Sequence, residues 1–102
     1  MAQSEVAFHP EASDEYREAY VWYARHDRRA AERFEREVDS SVQRIAENPD
    51  RWPTYDARHR KVLLRRFPYV LVYREHEQRI WVVAVAHGHR RPGYWKRRRI
   101  PG

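Results

Sequence analysis

Apolar residues recur with a helical period in the first half of the chain and crowd into strand-like runs in the second. Glu5-Val6-Ala7-Phe8 is short and apolar and stops at His9-Pro10. This predicts a brief strand, with Pro10 opening a helix at its first position, where a missing N–H costs nothing. Ala12, Tyr16, Ala19, Tyr20 and Tyr23 then share one helical face. Glu11, Asp14 and Glu15 place negative charge at the positive end of the helix dipole. The pattern predicts a helix over residues 10–26. A second helical face carries Ala31, Phe34, Val38, Val42 and Ile45, opposite Glu32, Arg33, Glu35, Arg36 and Arg44. Asp27 is a suitable N-cap, and Asn48-Pro49 a stop.

Residues 49–60 contain two prolines and show neither period, so they read as a loop. Beyond them the β-branched and aromatic content rises in three runs, 61–67, 69–74 and 79–87. Pro68 separates the first two and Glu75-His76-Glu77-Gln78 the last two. Connections this short permit only antiparallel neighbours. The expected fold class is α+β: an N-terminal strand and a helical hairpin packed on an antiparallel meander, in the order β-α-α-β-β-β. The position of the N-terminal strand in the sheet is open.

At 102 residues the chain is one domain, with residues 96–102 as a basic tail. Lys and Arg outnumber Asp and Glu 21 to 15. The excess gathers at 58–66 and 87–99, whereas most acidic residues precede Asp56. Such asymmetry suits an anionic partner, nucleic acid or an acidic protein segment; the alternative is a solvated basic surface. Without cysteine there is no disulfide framework and no Cys-based zinc site. The N-terminus lacks the basic and apolar regions of a leader, and no run reaches a membrane-spanning length. These features predict a cytoplasmic protein without membrane contact or cofactor.

The opening Phe8-His9-Pro10-Glu11-Ala12, the helix end Ala46-Glu47-Asn48-Pro49, the segment Arg66-Phe67-Pro68-Tyr69 with Tyr73 beyond it, and the stretch from Ala84 to Trp95 occur in an order that resembles the RelE/ParE toxin superfamily. They are most similar to its plasmid-stabilisation members, over roughly residues 6–98. The resemblance implies the toxin of a type II toxin–antitoxin pair, in a hetero-oligomer with an acidic antitoxin. It leaves two chemistries open. A ParE-like toxin binds DNA gyrase. A RelE-like toxin cuts messenger RNA on the ribosome without a metal, driving the ribose 2′-OH onto the adjacent phosphate. A non-toxic basic nucleic-acid-binding module is a third reading.

Cleavage would need a base for the 2′-OH, a cation for the phosphorane and an acid for the leaving oxygen. Arg66, His87, His89, Arg90 and Tyr94 are the candidate set, since the first and last meander strands run the same way and bring their ends to one side. An imidazole is a natural acid or base near neutral pH, although His87 could equally cap a strand. A lysine-rich set, usual in the RelE-like enzymes, is missing: Lys61 is the only lysine before the tail. Arg65, Arg91, Trp22 and Trp95 are the candidates for antitoxin or target contact, with Trp95 also able to close a core edge. His87 and His89 share a strand face but lack a third ligand nearby, so no metal site is expected. His9, His26, His59 and His76 fall at element ends or in loops and read as solvated.

Overall fold

The computed structural model describes residues 5–101. Met1–Ser4, where a leader was sought, and Gly102 of the basic segment lie outside the described residues. The elements follow the predicted order: β1 (Val6–Phe8), α1 (Pro10–His26), α2 (Arg28–Glu47), β2 (Arg60–Leu63), β3 (Tyr69–His76) and β4 (Arg79–His87).

Local chemistry sets the boundaries of the hairpin. His9 Nδ1 accepts the Glu11 N–H at 3.0 Å, so the residue before Pro10 caps α1. Asp27 alone separates the helices. Its N–H donates to the Tyr23 carbonyl, and its carboxylate accepts the Arg29 N–H at 2.9 Å. One extended residue therefore ends one helix and caps the next. Asn48 closes α2 by donating to the Arg44 and Ile45 carbonyls.

The apolar stripes of both helices meet Leu71, Tyr73, Ile80, Val82 and Val85 of the sheet. Phe34, fully buried, is the hub, with its ring 5.3–5.6 Å from those of Tyr16, Tyr23, Phe67 and Tyr69. Tyr16 stacks on Phe34 and the other three rings meet it tilted or edge-on, geometries that aromatic quadrupoles favour.

The sheet has the order β1-β4-β3-β2, with β1 parallel to β4 and the meander strands antiparallel. Glu77 and Gln78, with φ 51° and 65°, form the turn between β3 and β4. Both values are positive, as a two-residue hairpin that matches the strand twist requires.

The structure corrects four expectations. First, β2 begins at Arg60, which read as the end of the loop, and stops at Leu63 instead of continuing to Phe67. Leu64 donates to the Tyr69 carbonyl, while the Arg65 and Arg66 amides turn to the Glu37 carboxylate of α2. Arg65 and Arg66 thus lie in a bend, not on a strand end. Second, β3 continues to His76, so the turn is shorter than the polar run. Third, the antiparallel pairing of β3 with β4, as expected in direction, is not one continuous ladder: the register slips by one between Val72 and Tyr73. The extra residue on β4 breaks the alternation: Val82 and Val85 face the helices, whereas Val83 and Ala84 both join the opposite face. That opposite face is the second core, closed by Trp95 from the C-terminal segment with Tyr55 and His59 from the 49–60 loop. Burial on both faces accounts for the near-continuous apolar run of β4. Fourth, His9 and His59 are buried, the latter bonded through Nδ1 to Asp56 at 2.9 Å.

Candidate functional site

β1 ends opposite Val82, so the outer edge of β4 has no strand partner beyond that point. A side-chain clamp takes over. Glu15, on the sheet-facing side of α1, accepts the Val85 N–H at 3.0 Å, and Arg98 donates to the Val83 carbonyl at 2.9 Å. The same two residues form a two-pronged ion pair at 2.8 and 2.9 Å. Arg98 also meets Glu11 at 2.8 Å, and the Tyr94 hydroxyl donates to Glu15 at 2.5 Å. The side chains of Arg98 and Glu15 are 11% and 13% exposed. Within the basic C-terminal run, then, Arg98 turns inward and staples residues 94–98 to α1 and β4. Burial pulls the Glu15 pKa up, but the bonds from Arg98, Tyr94 and Val85 outweigh it and leave the carboxyl below its ordinary value. Burial, then the bond to Glu15, pushes the Tyr94 phenol far up, so it keeps its proton.

Above this clamp lies an open cleft of about 240 Å³ between α1 and the end of β4, bordered by Glu18, Trp22, Tyr69, His87 and Arg90. Trp22 is 56% exposed, stacked on His26 with ring centroids 4.0 Å apart. His87 packs edge-on to Tyr69 at 5.0 Å and stacks on His89 at 5.0 Å. His87 Nδ1 accepts the His89 N–H at 3.0 Å, which assigns its proton to Nε2 and makes it a turn-capping residue. Arg90 lies 4.0 Å over the Tyr94 ring, a cation–π contact that holds its guanidinium at the cleft mouth. Arg91 is exposed beside it.

The other candidates lie elsewhere. Arg65 and Arg66 border a groove on the far side of the hairpin, with α2. Of the proposed catalytic set, His87, His89, Arg90 and Tyr94 come together, and Arg66 does not line their cleft. Trp95 is 2% exposed, 4.9 Å from Tyr55 and 4.6 Å from His59, so it fills the second core and presents no surface for contact. Among the described residues no cluster of three His, Cys, Asp or Glu side chains could hold a metal ion. Sequence reasoning missed Glu15 and Arg98 as partners. Eighty-three positions separate them, and neither belongs to a local motif.

The chain matches the family model described as the ParE toxin of the type II toxin–antitoxin system parDE, over residues 6–92. No curated protein matches it significantly. A solved structure from the chromosomal ParDE toxin–antitoxin system of P. aeruginosa has the same fold, with a TM-score of 0.72 at 13% identity, covering 83% of this chain and 96% of that one. With element order, sheet topology and family match all agreeing, the chain belongs to the ParE toxin family of type II toxin–antitoxin systems.

Proposed function

We propose that this chain arrests bacterial growth by binding DNA gyrase, and that a cytoplasmic acidic antitoxin neutralises it in a hetero-oligomer. The observation that carries the binding reading is how the candidate catalytic groups are committed. The His87 Nδ1 lone pair caps a turn, the Tyr94 hydroxyl is bonded to Glu15, and Arg66 lies in another groove. A proton-transfer set needs free, convergent groups. What the α1–β4 cleft offers instead is a docking surface: an exposed Trp22 beside a fixed Arg90, the residue types that dominate binding hot spots. Arg91 extends it.

An antitoxin segment has a second place to pack, the groove of about 580 Å³ between α1 and α2, lined by the apolar and aromatic Phe8, Tyr16, Tyr20, Val38 and Val42 and by the charged Arg17, Glu35 and Asp39. A disordered acidic segment that folds there would bury the apolar and aromatic side chains against its own apolar face.

The ribonuclease alternative retains one favourable observation, the stacked His87 and His89 beside Arg90. Production of the chain in cells, with and without the neighbouring acidic protein, tests the toxin reading: arrest and rescue are expected. Purified protein should then block gyrase supercoiling, induce the DNA-damage response and leave messages whole. Cleaved messages together with uninhibited gyrase at saturating toxin would replace the gyrase reading with the ribonuclease one. Arg90→Ala and Trp22→Ala should each remove arrest or antitoxin binding from a folded protein.

A further inference from the structure

The groove on the far side of the hairpin has a chemistry of its own. About 610 Å³ in volume, it runs between α2 and the bend after β2, and five arginines border it: Arg33, Arg36, Arg44, Arg65 and Arg66. Glu37 is the one carboxylate among its lining residues. It accepts the Arg65 and Arg66 backbone amides and so is directed at the bend. Arg44 lies 4.8 Å over Trp52, which orients its head. The side chains of Arg33, Arg36, Arg65 and Arg66 form no ion pair among the described residues. Like charges gathered along one groove repel, and a polyanion relieves that repulsion.

We infer that this groove binds the phosphate backbone of duplex DNA, through Arg33, Arg36, Arg44, Arg65 and Arg66 and without reading sequence. Three features favour a duplex over an acidic peptide or a single strand. From Arg33 to Arg44 α2 rises roughly 16 Å, so charge lies along a line as phosphates do. The exposed apolar contribution is Leu63 alone, 63% exposed, with no exposed aromatic to stack an unpaired base. Strand addition by a peptide is blunted as well. Lys61 donates to the Pro53 carbonyl and Thr54 bridges Arg60, so the loop before β2 already occupies half of its edge. Arginine forks match phosphate oxygens and, at the surface, track a backbone without base contacts. This inference is independent of the gyrase target, since a chain that leaves gyrase unaffected can still carry it.

Fluorescence anisotropy with the full chain and a labelled 20-base-pair duplex of mixed sequence tests it. Five phosphate contacts give a log–log salt slope of about −4.5, so raising salt fourfold weakens binding about 500-fold. In Arg33→Ala/Arg36→Ala/Arg66→Ala the slope should fall to about −1.8, and the same salt change should cost only about 12-fold. Two controls accompany it. Arg28→Ala/Arg58→Ala/Arg97→Ala removes equal charge from exposed positions elsewhere and should keep the wild-type slope. Arg33→Lys/Arg36→Lys/Arg66→Lys keeps the charge and should bind within about threefold of wild type. Equal loss in the two alanine triples reduces the effect to net charge and overturns the site. Absence of duplex binding at 50 mM salt also overturns it. So does a polyglutamate probe that binds more tightly than the duplex and loses affinity in the same groove triple, which would assign the groove to a protein partner.

Discussion

Beneath the cleft between α1 and β4, Arg98 commits its guanidinium to two carboxylates and a strand carbonyl. Across the hairpin, in the groove between α2 and β2, five guanidiniums have no carboxylate partner among the described residues. Arg98 belongs to the architecture, filling a gap where β1 is too short to pair the end of β4. Apart from Arg44, which lies over Trp52, the groove arginines are held by nothing that folding requires. Burial and partner decide which arginine is structural, and composition cannot distinguish them.

The largest expected effect breaks the first side of this contrast. Arg98→Ala leaves Glu15 charged, mostly buried and short of its main partner, and should cost about 3 kcal/mol. For a chain of this size that lowers the midpoint of thermal unfolding by about 15 °C. A fall of only a degree or two would make Arg98 a surface residue and remove the contrast.

Acid should dissolve the same clamp. The Glu15 pKa in the folded chain lies below its ordinary value of 4.5. The unfolded chain therefore takes up the proton first as pH falls. The contribution of the clamp is complete at neutral pH and is lost as pH drops below that ordinary value, through the folded pKa. Between pH 6 and pH 3 the wild type should lose more stability than Glu15→Gln, which has no proton to take up at this position. Parallel loss in both would place the acid-sensitive group elsewhere.

A smaller effect probes the bend that positions Arg65 and Arg66. Glu37→Ala removes the acceptor of two backbone amides. Both amides are at the surface, where water substitutes, so about 1 kcal/mol in chemical denaturation is expected. On the groove itself, Arg33→Ala and Arg66→Ala should alter stability by less than about 0.5 kcal/mol. Alanine is the better helix former at position 33, and a clear loss there would reveal a structural role and blur the comparison.

Apart from the His9 cap of α1, the hairpin was legible in the chain. Pro10, Asp27 and Asn48-Pro49 mark its ends with side-chain chemistry that acts within four residues, and the apolar stripes need nothing beyond helical geometry. The meander was legible in number and direction, because its connections are too short for any other pairing. The boundary of β2 was not. Residues 64–67 retain strand-like composition, but Glu37, 28 positions away, captures the Arg65 amide. The site was partly legible: His87, His89, Arg90 and Tyr94 converge as their spacing suggests, whereas Trp22 joins their cleft only through the fold, and Arg66 and Trp95 went to other surroundings.

The sequence by itself therefore determined the order of the elements and the fold class, since periodicity and capping are local properties. Only the tertiary structure decided where β1 joins the sheet, which face Trp95 closes and which arginines pair. Those outcomes depend on contacts between residues up to 83 positions apart, and the energy of such a contact is set by burial and geometry, which no stretch of sequence contains.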